Sequence, residues 1–69
     1  MNHTRKAERQ YMAKRDAIMH KINVLKAAEE YSRHALHCNT PGERDALMRQ
    51  VCEGWVVTQD EVTLVLVLL

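Results

Sequence analysis

The stretch RHALHC, residues 33–38, sets two imidazoles and a thiol almost side by side: His34, His37 and Cys38. A second thiol, Cys52, follows downstream. Imidazole nitrogen and thiolate sulfur are zinc ligands, and a thiol beside an imidazole is also the start of a nucleophilic pair. On a helix, His34 and Cys38 stand i,i+4 and share a face, so both can reach one ion. A structural zinc needs a full tetrahedron of ligands. His37 faces away from the other two unless the helix unwinds, and the spacing follows none of the zinc-finger patterns. We therefore expect no metal centre; His34, Cys38 and Cys52 are the residues that would have to form one. The plainer reading is a pair of histidines at a helix C-terminus, where the partial charge is negative, with two small thiols packed as apolar groups.

A nucleophilic site would need Cys38 activated by His34 or His37 and oriented by a third group. The chain has no glycine-rich oxyanion loop and no phosphate-binding glycine pattern; its 2 glycines are Gly42 and Gly54. At 69 residues it has little volume for a substrate pocket. The expectation is a non-enzymatic protein without a cofactor. Nucleic acid is a stronger candidate. Arg5, Lys6, Arg9, Lys14, Arg15, Lys21, Lys26 and Arg33 all fall in the front half. A basic-region helix would line them on one face, toward phosphates. Here they scatter around the helix, mixed with Glu8 and Asp16, which is the pattern of a solvated surface. Nor do residues 43–69 make a helix-turn-helix reader, because 59–69 hold no Arg, Lys or Asn to reach base edges. Arg5, Lys6 and Arg9 remain as a contact for nucleic acid or an acidic partner.

Stepping from those side chains to the chain that must hold them, 69 residues make a single small domain. Such a chain buries only about 60% of its unfolded surface, so its core is marginal and a partner chain is a common remedy. The net charge is +1, but it is unevenly spread. Residues 1–38 hold eight Lys/Arg against four Asp/Glu; residues 39–69 hold two against five. Two cysteines are too few for a disulfide scaffold. The N-terminal 15 residues are polar and lack a signal-peptide pattern, so the expected setting is a reducing cytoplasm. The apolar run Val62–Leu69 is far shorter than the ~20 residues that span a bilayer, so no membrane anchor is expected.

The first 40 residues contain neither Gly nor Pro. Ala, Lys, Arg, Glu, Met and Leu dominate, and they predict a long helix over about residues 6–37. Its apolar positions form two neighbouring stripes. One holds Tyr11, Ile18, Ile22, Leu25 and Leu36; the other holds Ala13, Ala17, Val24, Ala28, Tyr31 and Ala35. Arg5, Lys6 and Arg9 have the wrong sign for a helix N-terminus, so residues 1–6 are expected to be disordered. Thr40-Pro41-Gly42-Glu43 reads as a capping box: Thr40 accepts from the Glu43 N–H, the Glu43 carboxylate returns to the Thr40 N–H, and Pro41 takes the first helical position. It opens a helix over about 41–53 that should stop at Gly54, burying Leu47, Met48, Val51, Cys52 and Trp55. Thr58-Gln59-Asp60-Glu61 repeats the device and predicts a short apolar helix over about 59–69. The alternative is a C-terminal β-hairpin pairing 55–57 with 62–64, which Val and Thr favour but a glycine-free loop does not.

The fold class is therefore all-α. One copy cannot cover both stripes and also enclose the tail. Two copies can, which predicts a homodimer or an obligate complex with another helical protein. Its interface residues would be Ile18, Ile22, Leu25, Tyr31, Trp55, Val62, Leu66 and Leu69. Burying ~800 Å² of apolar surface yields roughly 20 kcal/mol gross, against about 4–15 kcal/mol for association.

The stretches VLKAAEEYSRHAL (24–36) and TPGERDALMRQVCEGWV (40–56) resemble small helical accessory proteins encoded in the early regions of lambdoid temperate phages, between recombination and excision genes. The resemblance covers roughly 30 residues. It implies a regulator of host takeover or phage development that acts by protein contact in the host cytoplasm, with no catalytic residues.

Overall fold

The computed structural model describes the backbone of residues 2–69 and the side chains of residues 9–69. It contains α1 (Asn2–Ala35), α2 (Pro41–Trp55) and α3 (Gln59–Leu68), and no strand among the described residues. The chain is all-α, and the β-hairpin alternative is not formed. No helix among the described residues is long and apolar enough to cross a membrane. Met1 and the side chains of Arg5 and Lys6 lie outside the described residues, as does the expectation of disorder over 1–6.

α1 begins at Asn2, ahead of the expected start near Lys6, because no residue there breaks a helix. A charge of the wrong sign costs only about 0.3–1 kcal/mol at an exposed end. The helix stops at Ala35, slightly before the expected end at His37. The chain leaves through a tighter turn, with the His37 N–H donating to His34 O (3.0 Å) and the Cys38 N–H to Ala35 O (3.1 Å). Arg33 and His34 occupy the last turn, where cations suit the dipole.

α2 opens as the sequence indicates, with Pro41 in its first turn. Thr40 Oγ1 accepts from the Glu43 N–H at 3.1 Å. The return bond goes one residue further back than expected: Glu43 Oε2 accepts from the Asn39 N–H at 3.0 Å. The far end differs more. Gly54 is inside the helix, and the turn falls on Val56, at φ 55° and ψ 53°. The Val57 N–H donates to Cys52 O (3.1 Å) and the Val56 N–H to Glu53 O (3.4 Å), the paired closure of a Schellman motif. Val57 then packs against the cluster that contains Cys52. This apolar contact carries the chain past the glycine and sets the turn where Val57 can reach the core.

α3 starts with the complete capping box. Thr58 Oγ1 accepts from the Glu61 N–H (3.2 Å), and Glu61 Oε1 accepts from both the Thr58 N–H (3.0 Å) and the Thr58 hydroxyl (2.8 Å). The last donor, the Leu69 N–H, reaches Val65 O at 3.0 Å.

The core is small: Val24, Ala27, Ala28, Val51, Cys52 and Val62 are buried. Ala27 and Ala28 let α1 approach its neighbours closely. Among the described residues, Val62 is the largest side chain that is fully enclosed. Tyr31, Leu47, Met48, Trp55, Val65 and Leu66 pack around this centre. Two polar links tie α1 to the other helices. Trp55 Nε1 donates to Glu30 Oε2 at 2.9 Å, and His20 Nε2 meets Glu61 Oε2 at 2.5 Å. The molecule measures 59 × 21 × 16 Å. Its radius of gyration is 16.1 Å, where a compact chain of this length has about 11 Å. The N-terminal half of α1 projects beyond the other helices.

Candidate functional site

The residues that could do chemistry are not brought to one place. His34 is exposed on the last turn of α1, Cys38 is half-buried after it, and Cys52 is buried on α2. Cys38 Sγ is 3.8 Å from the His34 carbonyl oxygen, a contact with its own helix end. Cys52 Sγ is 3.8 Å from Met48 Sδ, a packing contact within α2. No group of three or more His, Cys, Asp or Glu placed to hold a metal occurs among the described residues. The zinc candidate His34, Cys38 and Cys52 is therefore not assembled. The reason is geometric: α1 ends before Cys38, and Cys52 points into the core.

A different trio lies closer together. Cys52, His20 and Glu61 line one shallow depression at the α2–α3 turn. The electrostatics there oppose a nucleophile. Burial pushes the Cys52 thiol pKa up, and the negative charge of Glu61 adds to the rise. A reactive cysteine needs the opposite shift. Glu61 itself is drawn down to about 2, first by the Thr58 hydroxyl, then by the Thr58 N–H and by His20. Its carboxylate closes a helix cap and holds α3 to α1.

What the fold does assemble is apolar surface. Tyr11, Ile18, Ile22 and Leu25 of the first stripe are exposed, as is Leu36 just past the end of α1; Tyr11 keeps 66% of its surface and Ile18 57%. The second stripe divides. Val24, Ala28 and Tyr31 join the core and Ala35 is half-buried, while Ala13 and Ala17 continue the same face uncovered. Of the other expected interface residues, Tyr31, Trp55 and Leu66 are half-buried against the chain's own core. Leu69 is 83% exposed. Val62 is a correction: it is 0% exposed and cannot be offered to a partner. It sits on the one side of α3 that faces α1 and α2. Arg9 is exposed, and so are Lys14, Arg15, Lys21, Lys26 and Arg33.

Sequence reasoning missed Met12, Met19, Leu64 and Leu68, all exposed. Leu64 and Leu68 are i,i+4 on α3, a spacing that could have marked them. With Leu25, Val24 and Val65, Leu64 lines an apolar groove between α1 and α3, and His20, Lys21 and Glu61 border it. The whole chain exposes 5812 Å². A compact monomer of its mass exposes about 4,450 Å², so roughly 1,350 Å² is surplus. No family model, no curated protein and no solved structure matches this chain.

Proposed function

We propose that this protein is a small non-enzymatic regulator that acts by protein–protein contact and works as a homodimer. The exposed stripe Tyr11–Ile18–Ile22–Leu25 carries this reading. An uncovered apolar face leaves a helix without its main support, because most helix stability in proteins comes from packing such a face. A second copy supplies that packing. The surplus area is large enough, since a standard interface takes about 800 Å² from each partner. The resemblance to lambdoid-phage accessory proteins suits the reading and suggests a role in host or phage development within the host cytoplasm.

Light scattering on the purified chain tests it. The expected mass at micromolar concentration is twice 8.0 kDa. Ile18→Glu with Leu25→Glu should return it to one copy while α2 and α3 stay folded, because both positions are exposed. A wild-type chain that stays monomeric at that concentration overturns the homodimer. The alternative is a nucleic-acid-associated regulator that uses Arg5, Lys6 and Arg9. Its support is the excess of basic residues in the front half. A salt-sensitive mobility shift of duplex DNA favours it, and no binding at low salt removes it.

A further inference from the structure

We propose that the α1–α3 groove of each copy receives the basic N-terminal half of α1 from the other, so that the two α1 helices run antiparallel and cross between Ile18 and Ile22. The inference rests on the self-association reading above and adds its direction and its seat.

Continuity is the first argument. Leu25 belongs both to the exposed stripe and to the groove wall, where it faces the same opening as Leu64. A helix laid along the stripe toward Leu25 therefore enters the groove. Tyr11, Ile18 and Leu25 follow at seven-residue steps, and Ile22 follows Ile18 by four. That is the spacing of a helix–helix seam. About the proposed crossing, Tyr11 of one copy comes beside the Leu25–Glu29 turn of the other.

Charge sets the direction. Residues 1–18 hold five Lys/Arg against two Asp/Glu. Residues 59–69 hold no Lys or Arg against two acids, Asp60 and Glu61. Glu29 is exposed one turn beyond Leu25. The antiparallel arrangement lays Arg9, Lys14 and Arg15 alongside a surface of mixed sign, Glu29 and Glu61 with Lys21 and Lys26, in place of their own copies. A parallel arrangement stacks Arg9, Lys14 and Arg15 against their own copies. Like charges held together across an interface are a strong penalty on the wrong pairing.

The surplus of roughly 1,350 Å² exceeds the about 800 Å² that a standard interface takes from each partner, which leaves room for both the stripe and the groove.

Disulfide trapping tests the inference. Three variants are made with Cys38→Ser, which removes the half-buried native thiol and leaves Cys52 in the core. They are Tyr11→Cys, Leu25→Cys and Glu29→Cys, all at exposed positions and each checked for helix content. After mixing, subunit exchange and mild oxidation, Tyr11→Cys combined with Leu25→Cys or Glu29→Cys should give severalfold more cross-linked dimer than Tyr11→Cys alone. Equal cross-linking by Tyr11→Cys alone means a parallel dimer. It overturns the direction but leaves self-association standing. A dimeric mass with no cross-link in any mixture places the interface elsewhere and overturns the proposal. A monomeric mass overturns both this inference and the homodimer.

Discussion

Val56 holds a left-handed backbone that glycine occupies without penalty and a β-branched residue does not. Two positions earlier, Gly54 lies in ordinary helix, where a Cβ would meet nothing within 4 Å. The two residues look interchanged with respect to local preference. Val56→Gly should therefore stabilise the chain by about 1 kcal/mol, and Gly54→Ala by about 0.5–1 kcal/mol. Urea unfolding reads both; a loss of stability from either would contradict the backbone described. Glu61 has a testable pH signature. Its pKa falls from the ordinary 4.5 to about 2 in the folded chain. The stabilisation it contributes is thus complete above about pH 4.5 and is lost as pH falls toward 2. Melting temperature should decline through that window, and Glu61→Gln should flatten that part of the profile. An equal decline in the variant would assign the acid sensitivity to other carboxylates.

Among the elements, α3 owes its place to one side chain. Val62 is the one residue of α3 that is wholly enclosed; Val65 and Leu66 are half-buried, and Val67, Leu68 and Leu69 are exposed. Val62→Ala should cost about 2–3 kcal/mol by the usual price of lost burial plus a residual cavity. Chemical denaturation would show it, and a loss below half that would mean α3 is held mainly by its cap and the His20 link. The helices were legible in the sequence because their signals are local. Thr40-Pro41 and Thr58 through Glu61 are caps read from adjacent residues, and the absence of Gly and Pro before Pro41 marks α1. The end of α2 was not legible, because Gly54 is a correct local signal overridden by the docking of Val57. Ala27 is fully buried yet belongs to neither stripe. Which side of α1 the other helices choose depends on packing between distant segments. The same applies to the groove: Leu25 and Leu64 become neighbours only once α3 has folded back.

The whole molecule is a small bundle at one end of a long helix. Its two ends should differ in dynamics. Amides over residues 24–35 lie against the core and should exchange slowly at every concentration. Amides over 9–18 should exchange quickly in dilute solution and slow down as the protein self-associates. Hydrogen exchange at two concentrations measures this, and unchanged rates over 9–18 would leave that half of α1 without a partner. Trp55, the chain's single tryptophan, stands apart from all of this. Its ring lies under Lys26 (5.8 Å) and its indole N–H is bonded to Glu30, on the seam between α1 and α2. Ultraviolet emission from the native protein therefore reports the integrity of the α1–α2 seam within one subunit. Folding and assembly can be followed in the same cuvette, the first by fluorescence and the second by scattered light, with no label added.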